Sequence, residues 1–132
     1  MNNNEKVAII TGSSQGLGAS VAKKLAENNI NVVINYSSNK NLALEVEKFC
    51  ISKNVKTLCI KADISTDSGC KKLVDETINL FGRVDILVNN AGTTKFASHS
   101  KLDELSSEDF SNIYRLNVIG AYQMIKNVEP YM

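Results

Sequence analysis

The sequence predicts an α/β fold: a doubly wound parallel sheet of four strands in the order 3-2-1-4, with helices on both faces. Three observations carry this. Short apolar runs alternate with stretches of helical periodicity along the whole chain, and that alternation builds parallel βαβ units. A glycine-rich turn, Thr11-Gly12-Ser13-Ser14-Gln15-Gly16-Leu17-Gly18, joins the first apolar run to the first helical stretch. Right-handed crossovers then fix the strand order and open a ligand crevice between strands one and four, where the winding reverses.

The first strand covers residues 7–11. Its Val7-Ala8-Ile9-Ile10 core is short, continuous and rich in β-branched residues, as burial on both faces requires. Leu17, Val21, Leu25 and Ala26 then recur at three and four residues, so a helix follows whose first turn is the glycine loop itself. Further strand runs lie at residues 31–36, 55–61 and 84–89. The second helix offers Leu42, Val46, Phe49 and Cys50 as its buried stripe. The third offers Cys70, Leu73, Val74, Ile78 and Phe81, and Gly82 stops it. Counting about 100° per residue from Phe110, the fourth helix carries the stripe Ile113, Ala121, Met124 and Val128 with Asn117 in its middle. Leu116, Ile119 and Tyr122 make its opposite face apolar too, so this helix calls for cover on both sides.

A chain of 132 residues forms one domain with a modest core. The net charge of +1 and the lack of a lysine/arginine run argue against nucleic acid or an anionic membrane as partner, leaving small molecules. The N-terminus, Met1-Asn2-Asn3-Asn4-Glu5-Lys6, is polar, and the four apolar residues after it are too few for a signal peptide or a membrane span. A cytoplasmic location is expected. Cys50, Cys59 and Cys70 are odd in number and lack metal-ligand spacing, which predicts reduced, buried thiols and no metal site. The single histidine, His99, lies in a polar stretch and reads as a solvated loop residue.

Each glycine of the loop has a physical task. Gly12 permits the tight turn, Gly16 lets the backbone approach a pyrophosphate, and Gly18 allows close packing of helix on strand. Backbone N–H groups and the helix dipole attract the anion. The spacing Gly-x-x-x-Gly-x-Gly differs from the commoner Gly-x-Gly-x-x-Gly, and alone it also fits a turn without a ligand. A second run, Val84-Asp85-Ile86-Leu87-Val88-Asn89-Asn90-Ala91-Gly92, ends in a polar turn of small residues. Together with the glycine loop it resembles the short-chain dehydrogenase/reductase family, most closely its 3-oxoacyl-(acyl-carrier-protein) reductase-like members. Asp63-Ile64 and Asn117-Val118-Ile119-Gly120 also sit where that family has matching elements.

The resemblance implies a Rossmann-type dinucleotide-binding domain over residues 1–132 and hydride transfer between a nicotinamide and a small carbonyl or alcohol. In the family a tyrosine supplies the proton, a lysine four residues later lowers its pKa, a serine orients the carbonyl, and an asparagine holds a relay water. A free tyrosine titrates near about 10, so a neighbouring ammonium is what makes it useful at neutral pH. Of these four groups the chain keeps the asparagine, Asn117, which serves equally as a core amide fixing helix to sheet; the two roles are compatible. The strings Tyr36 to Lys40 and Tyr122 to Lys126 have the right spacing in the wrong places. In the family the catalytic pair lies on the next helix, so the chain is expected to be the N-terminal portion of such an enzyme, ending before its catalytic Ser and Tyr-x-x-x-Lys and inactive alone. A non-catalytic nucleotide-binding or interaction module, or the product of an interrupted gene, remains as an alternative.

The same resemblance assigns the cofactor residues. Gly12, Ser14, Gln15, Gly16, Leu17 and Gly18 match the pyrophosphate loop. Asp63 and Ile64 match an adenine contact, although the stretch from Asp63 also reads as a loop and helix cap. Asn90, Ala91 and Gly92 match the ribose-contacting turn, while Asn89 ties strands together. An NAD enzyme usually presents a carboxylate about 20 residues beyond the glycine loop. Here that place holds Tyr36, Ser37 and Ser38, and hydroxyls such as Ser37 with Lys40 nearby suit a 2′-phosphate, so NADP(H) is favoured over NAD(H). Gln15, where many NADP-preferring relatives carry arginine, argues against a strong phosphate clamp. In the family the fourth helix packs across a subunit interface, which implies a homo-oligomer at full length; packing beneath a C-terminal half explains its two apolar faces equally well.

Overall fold

The computed structural model describes residues 5–132, so residues 1–4 of the polar N-terminus lie outside the described residues. The elements run β1 (Val7–Ile10), α1 (Gly16–Glu27), β2 (Asn31–Tyr36), α2 (Lys40–Ile51), β3 (Thr57–Lys61), α3 (Asp67–Phe81) and β4 (Ile86–Val88). A long loop with one 3-10 turn at Leu102–Glu104 leads to α4 (Ser107–Tyr114), a π-helical segment (Arg115–Gly120) and α5 (Ala121–Val128). The four strands are parallel and ordered β3-β2-β1-β4, as the crossover argument requires.

Period-two alternation splits the core between the faces of the sheet. Ala8, Ile10, Val32 and Ile34 pack with Ala22 and Ala26 of α1 and Val46 and Cys50 of α2. Val7, Ile9, Val33 and Ile60 pack with Leu73 and Val74 of α3 and Met124 and Val128 of α5. The N-terminus of β1 is anchored by Asp85, whose Oδ2 accepts the Val7 N–H at 2.8 Å. The Arg83 hydrogen bond holds that carboxyl below its ordinary pKa.

α1 departs from the expected stripe. Its sheet-facing residues are Gly18, Ala19, Ala22 and Ala26, while Leu17 is 73% exposed. Small side chains bring this helix close to the sheet, and Val21 and Leu25 fill only the margins. α2 buries Val46 and Cys50 with Ala43, and the half-buried Phe49 ring takes the Lys23 and Lys53 ammonium groups at 5.2 and 4.9 Å from its centroid. α3 buries Cys70, Leu73 and Val74, and ends at Gly82 in the left-handed conformation, φ +72°. Burial pushes the thiols of Cys50, Cys59 and Cys70 up to about 11.

The fourth predicted helix is not one regular helix. The π-helical turn over Arg115–Gly120 shifts the register between α4 and α5, so the 100° count fails at its middle. Met124 and Val128 are buried as expected, but Ile113 and Ala121 are only half-buried and Asn117 is exposed. Of the opposite face, Leu116 turns inward against the α3 side of the core, while Tyr122 is 61% exposed.

Candidate functional site

The site is assembled where β1, β2, β3 and β4 end on the same edge of the parallel sheet. Thr11, buried at the end of β1, accepts at Oγ1 the N–H groups of Asn90 at 3.0 Å and Ala91 at 2.9 Å. Asn90 returns its side-chain amide to the carbonyls of Thr11 at 3.0 Å and Gly12 at 2.9 Å. The turn after β4 is therefore laced to the glycine loop. A Cβ on Gly18 would lie 2.5 Å from Asn90 Nδ2 and from the Gly12 carbonyl. This glycine admits the Asn90 amide and the loop, not the face of a strand.

Gly16 has φ +58° and open space where a Cβ would stand, so its backbone conformation, not crowding, selects glycine and leaves the main chain approachable. The N-terminus of α1 has no side-chain cap and no acidic residue in its first turn. α2, α3 and α4 are capped by Asn39, Thr66 and Ser106. The positive end of the α1 dipole is thus left to an anion from outside the helix, which fits a pyrophosphate.

Beside the loop opens a cavity of about 340 Å3. Gly12, Ser14 and Gln15 line it from the loop, and Tyr36, Ser37 and Ser38 from the end of β2. Asp63 and Ile64 contribute from the turn after β3, and Asn90, Ala91 and Gly92 from the turn after β4. Of the residues the sequence proposes for a nucleotide, Gly16, Leu17 and Gly18 do not line it. Asp63 is the single carboxylate among the lining residues, and Lys40 lines the adjoining pocket with Ser38 and Asn39.

Several side chains already have work. Asp63 Oδ1 accepts the backbone N–H and the hydroxyl of Ser65 at 2.9 and 2.7 Å, while the cap of α3 is Thr66. Ile64 is 4% exposed and packs into the α3–α5 core, so only its edge is presented to the cavity. Asn117 accepts the Thr93 N–H at 2.8 Å and donates to the Thr93 carbonyl at 3.0 Å, tying the π-helical segment to the chain just beyond Gly92. The buried core amide expected from the helical stripe is thus replaced by an exposed amide clasping a loop. Asn89 Nδ2 reaches the Ala121 carbonyl at 3.4 Å, tying β4 to α5 and not strand to strand. Tyr36 lines the cavity at the end of β2, whereas Tyr122 does not line it.

Thr11, Ser13, Asn35 and Leu116 belong to the site although motif matching gives them no role in it. Thr11, Ser13 and Asn35 are buried polar residues of the site, and Asn35 and Leu116 line the cavity. The available signal was Asn35 itself, a polar residue between Ile34 and Tyr36 in a strand buried throughout.

Comparison with known proteins agrees with this geometry. The family model described as short chain dehydrogenase matches residues 6–132. A 3-oxoacyl-(acyl-carrier-protein) reductase of Staphylococcus epidermidis is 35% identical over 127 residues, which are 96% of this chain and 51% of that protein. An uncharacterized oxidoreductase of Methylorubrum extorquens is 38% identical over 115 residues, 87% of this chain and 45% of that protein. The chain therefore spans about half the length of the curated relatives it matches. Among solved structures, a short chain dehydrogenase from Burkholderia cenocepacia in complex with NADP superposes with a TM-score of 0.92 at 30% identity, over 100% of this chain and 53% of its own. An NAD+-bound xylitol dehydrogenase gives 0.88 at 28% identity, over 100% and 50%. A glycine loop laced to the turn after β4, an uncapped α1, and a family match running from Lys6 to the last residue converge on one conclusion: the chain belongs to the short-chain dehydrogenase family.

Proposed function

We propose that this chain is the nucleotide-binding portion of an NAD(P)(H)-dependent oxidoreductase acting on a small carbonyl or alcohol, with 3-oxoacyl thioesters as a candidate substrate class and NADP(H) preferred. The observation that carries the reading is the cavity across the strand ends, bordered by the glycine loop that leads into the uncapped N-terminus of α1. When bound, the nicotinamide supplies or accepts the hydride.

The chain's own residues bind and orient. Gly12, Ser14, Gln15, Gly16, Leu17 and Gly18 form the pyrophosphate loop, Gly16 through its open backbone. Asp63 keeps acceptor capacity for an adenine amine beside the edge of Ile64, and Asn90, Ala91 and Gly92 present a low wall to a ribose. Ser37, with Lys40 nearby and no carboxylate at the end of β2, favours a 2′-phosphate. Asn117 holds the loop beyond Gly92 in place and offers an exposed amide to a relay water. By itself the chain does not reduce carbonyls in this reading, because Tyr122 lies outside the cavity and Tyr36 ends β2, across β1 from Gly92 and Asn117. A cytoplasmic, homo-oligomeric enzyme is the setting we assign.

Calorimetric titration with NADPH and NADH tests the proposal, NADPH being expected to bind tighter and neither to be oxidised in the presence of carbonyl substrates. Tighter NADH binding overturns the preference; turnover that disappears in Tyr122→Phe overturns the account of that tyrosine.

A further inference from the structure

We infer that Asn35 is a positioning residue that fixes the separation between two walls of the nucleotide cavity; the inference rests on the nucleotide-binding reading above. Asn35 is 2% exposed and lines the cavity near the end of β2. Its Oδ1 accepts the Gly12 N–H at 2.9 Å, and its Nδ2 donates to the Ala62 carbonyl at 3.1 Å and reaches the Ile60 carbonyl at 3.4 Å. Its main chain enters the same network. The Asn35 N–H donates to Ser13 Oγ at 3.0 Å, the Asn35 carbonyl accepts the Ser13 N–H at 2.9 Å, and Ser13 Oγ donates onward to the Ile10 carbonyl at 2.7 Å.

The sheet does not need this bridge to hold together. β2 is already laddered to β1 through Val7 to Ile10 and to β3 through Thr57 to Lys61. The amide instead joins Gly12, beyond the end of β1, to the carbonyl of Ala62, the first residue after β3, whose N–H is the last rung to β2 through the Tyr36 carbonyl at 3.0 Å; both Gly12 and Ala62 line the cavity. One wall is the glycine loop; the other begins the turn carrying Asp63 and Ile64. Only a side chain with an acceptor at one tip and a donor at the other satisfies both partners. Asp at this position keeps the Gly12 bond but turns an oxygen toward the Ala62 and Ile60 carbonyls. Ser is too short to span them.

The test measures binding of NADPH and of ADP, which share adenosine and pyrophosphate, to the wild-type chain, Asn35→Asp, Asn35→Ser and Thr77→Ala, with melting curves for each. Thr77 is buried on α3 and outside the cavity, its hydroxyl donating to the Leu73 carbonyl at 2.7 Å, so its variant reports what lost stability alone does to binding. Both Asn35 variants are expected to bind NADPH and ADP about tenfold more weakly and in equal proportion, while Thr77→Ala stays within about twofold of wild type whatever the shift in its melting temperature. Asn35 variants that bind within about twofold of wild type overturn the inference. So does a loss confined to Asn35→Asp, which is charge repulsion, or a Thr77→Ala loss as large as theirs. If Asn35→Asp fails to melt cooperatively, Asn35→Ser decides; if Asn35→Ser itself fails to melt cooperatively, the amide holds the fold and not only the cavity walls, and the inference is overturned. A wild-type chain that binds neither probe removes the nucleotide-binding reading itself, whereas normal wild-type binding with unaffected variants removes only the role of Asn35.

Discussion

Two glycines of one loop are glycine for opposite reasons. A Cβ at Gly18 would press to 2.5 Å from the Asn90 amide and the Gly12 carbonyl, while one at Gly16 would meet nothing but would keep φ at +58°. Gly18→Ala is therefore an overpacking change costing about 1–3 kcal/mol, and it strains the Asn90 bonds that join the loop to β4. Gly16→Ala carries only left-handed strain of about 1–2 kcal/mol, yet places a methyl where the anion approaches. Urea unfolding is expected to rank Gly18→Ala as the less stable, with nucleotide affinity lost in both; equal unfolding losses would refute the distinction. Spacing alone made the three loop glycines legible. It did not reveal that the Asn90 amide grips the loop carbonyls while Asn89 reaches α5, since which partner a side chain meets depends on the strand's alternation and twist.

Caps and register decide the elements. Ser106 and Asp109 form a reciprocal capping box at the start of α4, and Asp109 also pairs with Lys95 of the preceding loop at 2.8 Å. The Lys95 hydrogen bond, helped by the Ser106 N–H, holds the Asp109 carboxyl at about 2, against 3.8 for the free group. A depressed folded-state pKa contributes stability above the unfolded value and loses it as pH falls through the folded one. The melting advantage of wild type over Asp109→Asn is expected to be full at pH 6, to shrink below about pH 4, to be mostly lost near pH 2 and to be gone near about pH 1. Asp85 titrates in both proteins and cancels in the comparison. An advantage undiminished between pH 6 and pH 2 would show that the pair does not act through charge. The strands, the α3 stripe and the Gly82 stop were readable because period and turn chemistry agree there. The π-helical turn was not, because an extra residue in a helical turn leaves no mark in composition, and so Asn117 was assigned to a buried stripe it does not join.

At the scale of the molecule, order came from chirality. Parallel strands joined by right-handed crossovers leave few arrangements, and β3-β2-β1-β4 is one of them. Exposure was harder to read. β4 has three residues, all half-buried, and among the described residues its outer edge is unpaired. Phe110, Tyr114, Val118, Tyr122 and Ile125 stand exposed along α4, the π-helical segment and α5. An open strand edge beside an apolar helix face favours association. Size-exclusion chromatography with light scattering is expected to find this chain in species larger than its 14.5 kDa. A monodisperse monomer with a cooperative melt would contradict this.

The tie from the Val7 N–H to the Asp85 carboxylate spans 78 residues, and it closes the side of β1 that β2 leaves open. On a ribosome, β1 and β2 emerge together, but the strand that completes the middle of the sheet follows roughly 50 residues later, a wait of several seconds at about 5–20 residues per second. Throughout that interval the most buried strand of the finished protein has one naked side. The glycine loop is held on its β2 side by Asn35 but waits on the other, because the bonds between Thr11 and Asn90 do not exist until Asn90 has been synthesised. The nucleotide cradle, whose first walls come from the ends of β1 and β2, is thus closed only when the turn after β4 has followed.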